Sequence, residues 1–107
     1  MLTIQVPLFG GKCYVCYDRT EFIDFTGEEV HERTLALCAR EKRIPMYLPT
    51  KDCLNHELIH MAWYLLDFYG VKIDVENHEM LAYLHDSLRD IIEADINFQS
   101  LPIKQNA

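Results

Sequence analysis

Gly70 separates two amphipathic stretches in the second half of the chain, and this division constrains the fold more than any other feature. The first stretch follows Thr50 and Asp52, two residue types that commonly cap the N-terminus of a helix. It ends at a glycine, the residue type that most often follows a helix C-terminus. We therefore predict a helix over about 53–69.

The second stretch follows Asp74, which is another candidate N-cap. Its leucine and isoleucine residues repeat with a helical period, which predicts a helix over about 75–95. The repeating residues are Leu81, Leu84, Leu88, Ile91 and Ile92.

Short β-branched and aromatic runs fill the first half of the chain, where residues 2–6 and 13–17 flank a Gly-Gly turn. This arrangement is typical of a hairpin. Residues 34–40 and 44–49 predict a second hairpin, in which the two prolines of 44–49 cannot donate hydrogen bonds to a neighbouring strand. We therefore expect 44–49 to lie at a free edge of a small antiparallel sheet.

The order of these elements, strands over about 2–49 and then two helices, is typical of an α+β domain. At 107 residues the chain is long enough for one modest core, so we expect a single domain over 1–107. Half of the residues are apolar and a quarter are charged, which is typical of a soluble globular protein.

The charge pattern excludes several classes of function. A formal net charge of −7 and the lack of a basic stripe argue against a nucleic-acid-binding surface. No apolar run approaches the ~18–20 residues of a membrane-spanning helix, and the N-terminus lacks the charged start and apolar block of a signal peptide. We therefore expect a cytoplasmic protein with no nucleic-acid or membrane partner and with reduced cysteines.

Cys13 and Cys16 form a C-x-x-C motif. A structural zinc site would need a second close pair, whereas Cys38 and Cys53 are fifteen residues apart. A redox motif would place the pair at a helix N-terminus, whereas these residues lie in a predicted strand, where positions three apart point to opposite faces. We predict buried or half-buried free thiols.

Residues 55–61 read NHELIHM and contain a His-Glu-x-x-His motif. On a helix, His56 and His60 lie one turn apart on the same face, so both imidazoles can approach one Zn²⁺ ion at the ~2.0–2.1 Å of a zinc–nitrogen bond. Glu57 lies about 100° around the helix from His56, where it can accept a proton from a zinc-activated water instead. The alternative, a surface helix with this spacing by chance, stays open.

This motif and the residues after it resemble the gluzincin branch of the zincin metallopeptidases, in particular ImmA/IrrE-like peptidases and small phage-encoded proteins. The resemblance covers about residues 45–88 and includes Leu66, Gly70 and the run EMLAYL at 79–84. It implies a minimal zincin fold, a bound Zn²⁺ and Glu79 as the third zinc ligand. Residues 1–40 carry no such likeness.

The position of Glu79 is difficult to reconcile with simple helix geometry. His60 lies about 15 Å before the end of its helix and Glu79 only about 7 Å into the next one, so a plain antiparallel hairpin does not align them. A steep crossing aligns them if the face that carries Glu79, Ala82, Tyr83 and Asp86 packs on the first helix.

Alternative assignments stay open for the remaining site residues. His85 is a rival third ligand, because it lies about as far beyond the turn as the histidine pair lies before it, and Glu76 and His78 are weaker rivals. Tyr83 either donates a hydrogen bond to the oxyanion of a tetrahedral intermediate or packs at an interface. Asp86 either orients a ligand histidine or points into solvent.

These residues predict a zinc-dependent peptidase that hydrolyses a peptide bond in a protein substrate, with Glu57 as the general base and Tyr83 as a further catalytic candidate. We expect the substrate to pair with the edge strand over 44–49. Two alternatives stay open: a binding protein on a zincin scaffold, such as a phage factor that engages a host protein in the host cytoplasm, and a subunit of a homo-oligomer or larger assembly. The aromatic residues that lie either in the core or against such a partner are Trp63, Tyr64, Phe68 and Tyr69.

Overall fold

A four-stranded mixed sheet lies at the centre of the structure, a computed structural model in which residues 1–104 are described. Its strands are β1 (Leu2–Gln5), β2 (Lys12–Cys16), β3 (Leu37–Cys38) and β4 (Pro45–Tyr47), in the order β1-β2-β4-β3. The pairs β1/β2 and β3/β4 are antiparallel, which confirms both predicted hairpins, while β2 and β4 run parallel. Together with the helices around the sheet, this arrangement confirms the α+β fold.

Strand β4 lies inside the sheet, so the prediction of a free edge over 44–49 is wrong, as is that of a wholly antiparallel sheet. Pro45 lacks an N–H group, but a proline at the first residue of a strand is tolerated. Its carbonyl oxygen accepts a hydrogen bond from the N–H of Ala39 at 2.9 Å, and Leu48 donates to the carbonyl oxygen of Cys16 at 2.8 Å. The edge strands are therefore β1 and β3.

Helix α1 (Arg19–Thr26) covers one face of the sheet, and the helices of the second half cover the other. Helix α2 (Leu54–Phe68) follows a single 3₁₀ turn (Lys51–Cys53) and confirms the first predicted helix. It ends as expected at Gly70, which adopts a φ of 77° and donates its N–H to the carbonyl oxygen of Asp67 at 3.0 Å. This left-handed residue satisfies a carbonyl that the end of the helix would otherwise leave unpaired.

Helix α3 (His78–Glu93) confirms the second predicted helix but begins later than residue 75, and a short helix α4 (Ile96–Gln99) follows it. The carboxylate of Asp74 accepts hydrogen bonds from the N–H groups of Glu76 and Asn77, at 2.9 and 3.1 Å. Aspartate often forms such a turn with the backbone two residues ahead of it, so Asp74 closes a turn before the helix instead of capping it. Within residues 1–104, no helix has both the length and the apolar character needed to cross a membrane.

The cysteines are free thiols, as predicted; all four belong to the described residues. Cys13 lies in the core between the sheet and helices α2 and α3, whereas Cys16 lies in the smaller core beneath α1. The two residues therefore point to opposite faces of β2. Burial raises the pKa of Cys13 to about 12 and is the main cause that raises the pKa of Cys16 to about 11.

Candidate metal centre

Helix α2 holds His56 and His60 on its outer face because its inner face packs against the sheet. Both histidines are exposed, and their ring centroids lie 5.0 Å apart with an angle of 68° between the ring planes. The expected pair one turn apart is therefore present, with both imidazoles accessible to a ligand. The buried residues that anchor the helix are Leu54, Leu58, Met61, Ala62, Leu65 and Leu66.

Glu57 lies at the border of the buried face of α2, where only 6% of the residue is exposed. Its Oε2 atom lies 4.0 Å from Nε2 of His56. Burial raises the pKa of the Glu57 carboxyl, and the imidazoles of His56 and His60 partly oppose this rise. The charge of Glu57 also helps to raise the pKa of the Cys38 thiol, for which burial is the larger cause. The carboxylate therefore lies between the histidine pair and the edge strand β3.

The histidine pair fits a zinc ion in its donor chemistry, because imidazole nitrogens are preferred zinc ligands. A catalytic zinc site has three protein ligands, whereas no group of three or more His, Cys, Asp or Glu side chains is arranged to hold a metal within residues 1–104. Glu79 is exposed on the first turn of α3. The structure therefore brings two of the expected ligands together, and the third stays a prediction.

The face of α3 that carries Glu79 is exposed, so the expectation that it packs on α2 is wrong. Leu84, Leu88 and Ile92 are fully buried, and the helical period puts residues 79, 82, 83 and 86 on the opposite side of α3. All four of these residues are exposed. The catalytic candidate among them, Tyr83, keeps 48% of its surface accessible.

The rival ligands also lie apart from the motif in their bonding. Nδ1 of His85 lies 3.1 Å from Oδ1 of Asp86, which lies 3.6 Å from an amine nitrogen of Arg89. Asp86 therefore pairs with its neighbours on α3, and the structure does not use it to orient either histidine of the motif. Glu76 and His78 are exposed at the N-terminal end of α3.

Sequence reasoning missed a groove that continues from the histidine pair along α2. The ring of Tyr64 stacks on that of His60, with centroids 6.1 Å apart and planes at 23°. Beyond Tyr64, a cavity of about 270 Å³ lies between α2 and the turn that joins β3 to β4. An ion pair between Arg40 and Asp67 ties that turn to the helix. The signal in the sequence is the continuation of the four-residue spacing from His56 and His60 to Tyr64.

Comparisons of the chain with protein-family models, with curated proteins and with solved structures find no match. The resemblance to gluzincins therefore rests on the residues quoted above, and a function has to follow from the geometry of α2 and its surroundings.

Proposed function

We propose that this protein is a zinc-dependent peptidase that acts on a peptide or protein substrate. The observation that carries the proposal is the arrangement on α2, where two exposed imidazoles lie 5.0 Å apart beside a carboxylate that is 6% exposed. Zinc takes imidazoles as ligands, and hydrolysis needs a proton acceptor beside them. Burial of a carboxylate opposes folding, so a helix that served only as a surface element would gain nothing from Glu57.

Each residue has a separate role in this proposal. His56 and His60 would hold the ion, with Glu79 as the proposed third ligand. When bound, zinc polarises a water molecule and the scissile carbonyl group. Glu57 accepts a proton from the attacking water and later transfers it to the leaving amine, and its burial keeps bulk water from competing for that proton. Tyr83 is proposed to donate a hydrogen bond to the oxyanion.

The edge strand β3 provides a place for the substrate backbone. The N–H of Ala39 donates to the carbonyl oxygen of Pro45, and Cys38 is the next residue along the same antiparallel pair. Because hydrogen-bonded and non-hydrogen-bonded positions alternate in such a pair, the N–H and C=O of Cys38 point away from β4. An extended peptide can add to the sheet there, close to Glu57. We therefore propose β3, instead of residues 44–49, as the pairing strand of a cytoplasmic peptidase.

One observation favours a second function, protein binding without catalysis. Ile59, Trp63 and Phe68 of α2 are 46%, 47% and 60% exposed. Grouped apolar side chains on a surface often mark a site of protein interaction. A module of this kind, for example a phage factor that engages a host protein, would use the same helix without the chemistry of Glu57.

Metal content tests the assignment of the ligands. The purified protein is expected to hold about one zinc ion per chain by inductively coupled plasma mass spectrometry, and His56→Ala or His60→Ala to lose it, because each removes one of a few bonds to the ion. His31→Ala, at an exposed histidine outside the motif, is the matched control. Glu79→Ala is expected to weaken zinc binding more than His85→Ala, and the reverse order would reject Glu79 as the ligand. Full zinc retention in His56→Ala would reject the metal site.

The role of Glu57 is tested with Glu57→Gln, which keeps the shape of the side chain but cannot accept the proton. With a fluorescence-quenched peptide library as substrate, we expect the variant to bind zinc normally and to lose about 10²–10⁴-fold in rate. Glu28→Gln, at an exposed position, is the control and should cleave at the wild-type rate. A Glu57→Gln variant as active as the wild type would refute the catalytic role.

A further inference from the structure

The groove beyond the histidine pair contains a cavity with an apolar and aromatic floor. This cavity of about 270 Å³ is lined by Ile44, which is 3% exposed, and by the rings of Tyr64 and Phe68. An adjoining depression of about 170 Å³ shares Tyr64 and adds Trp63. Sites for drug-sized ligands span about 300–1,000 Å³, so the cavity has room for a single side chain and not for a whole ligand of that size.

One wall of the cavity carries two cations from the β3–β4 turn. Arg40 is engaged by Asp67, whereas Lys42 has no carboxylate within salt-bridge distance in the described residues 1–104. A cation beside an apolar floor attracts the negative face of an aromatic ring. Aromatic floor residues add offset or edge-to-face contacts with such a ring. The lining therefore favours an aromatic side chain over a small or an aliphatic one.

The cavity also lies at a defined distance from the candidate catalytic residues. Tyr64 forms part of its floor and stacks on His60, with ring centroids 6.1 Å apart. An extended peptide advances about 3.4 Å per residue, so a chain whose scissile bond lies at the histidine pair reaches the cavity about two residues away. The β3 edge and α2 flank this path, since Glu57 lies near Cys38 at one end and Asp67 pairs with Arg40 at the other.

We propose that this cavity binds an aromatic side chain of the substrate, about two residues from the bond that is cut. Phe68, Tyr64 and Lys42 are then the residues that determine specificity, and the substrate class is an extended peptide with Phe, Tyr or Trp at that position. This inference rests on the proposed peptidase function, because the position is counted from the histidine pair.

Binding is measured without catalysis through Trp63, the single tryptophan of the chain, which lines the adjoining depression. Two probes, acetyl-Ala-Phe-Ala-Ala-amide and its all-alanine counterpart, are titrated into the full-length protein while its tryptophan fluorescence is recorded. We expect the phenylalanine peptide to bind about tenfold more tightly, and Phe68→Ala to remove most of this preference. Phe68 is 60% exposed, so its truncation spares the core, and Ile96→Ala, at a site that is 72% exposed on α4, is the matched control. Equal affinities for the two peptides, or equal effects of the two variants, would overturn the proposal.

Cleavage mapping separates this inference from the proposed function. The zinc-loaded protein is incubated with a peptide library, and the cut sites are identified by mass spectrometry. We expect aromatic residues to be enriched at one position about two residues from the cut, and the enrichment to disappear in Phe68→Ala. Cleavage without aromatic enrichment would overturn the specificity and leave the peptidase standing. Selective aromatic binding with no cleavage would support the aromatic cavity and refute the peptidase.

Discussion

Leu58 anchors the histidine pair to the sheet, and its truncation gives a quantitative test of how α2 packs. The residue lies between His56 and His60 in the sequence but on the opposite face of the helix, where it is fully buried in the main core. Leu58→Ala removes about three carbon groups, each worth about 0.8 kcal/mol on burial, and leaves a cavity that adds to the loss. We expect the free energy of unfolding to fall by about 3–4 kcal/mol, a large share of the ~5–15 kcal/mol typical of a domain.

The measurement is urea unfolding followed by far-ultraviolet circular dichroism, with Ile59→Ala as the control. Ile59 is the next residue along the helix and is 46% exposed, so its truncation is expected to change the free energy of unfolding by no more than about 0.5 kcal/mol. The expected loss for Leu58→Ala also lowers the Tm by about 12 °C or more. A loss below about 1 kcal/mol for Leu58→Ala, or equal losses for both variants, would refute this packing of α2.

Two further predictions concern Cys13 and Gly11. Thiol alkylation requires the thiolate, so native protein at about pH 8 should react with iodoacetamide at the partly exposed Cys53 and not at Cys13, whose buried thiol has a pKa of about 12; mass spectrometry should find both modified in urea, and rapid native labelling of Cys13 would contradict its burial. Gly11→Ala should lower the Tm more than Gly10→Ala, because both residues have positive φ but a Cβ atom at 11 lies 2.6 Å from the hydroxyl of Tyr69 while one at 10 meets nothing within 4 Å; equal shifts would contradict this contact.

The helices were predictable because local chemistry determines their ends. Gly70 ends α2 through a left-handed conformation that a bulkier residue adopts with difficulty. The start of α3 was predicted too early because Asp74 serves either a helix cap or a turn, and both uses look alike in the sequence. The sheet order was less predictable, since the parallel pairing of β2 with β4 joins segments about thirty residues apart and Pro45 gives a misleading local signal.

The histidine pair was predictable from spacing alone, because the helical period fixes which side chains share a face. The surroundings of Glu79 were not, because the rotation of α3 about its axis depends on tertiary packing. Leu84, Leu88 and Ile92 turn inward and thereby carry Glu79 and Tyr83 to the opposite side. The cavity near Phe68 was missed for the same reason, since half of its lining comes from the β3–β4 turn.

Glu57 is the point at which the local rules and the structure disagree most informatively. The buried positions of α2 follow a core-facing helical period, and position 57 belongs to that series together with Leu54, Leu58, Met61 and Leu65. An apolar residue there would extend the core, whereas a carboxylate loses solvation on burial. Natural proteins commonly break such local rules at functional sites and accept the resulting loss of stability. The burial of Glu57 beside two exposed imidazoles is therefore a stronger argument for chemistry at this site than the spacing of the histidines alone.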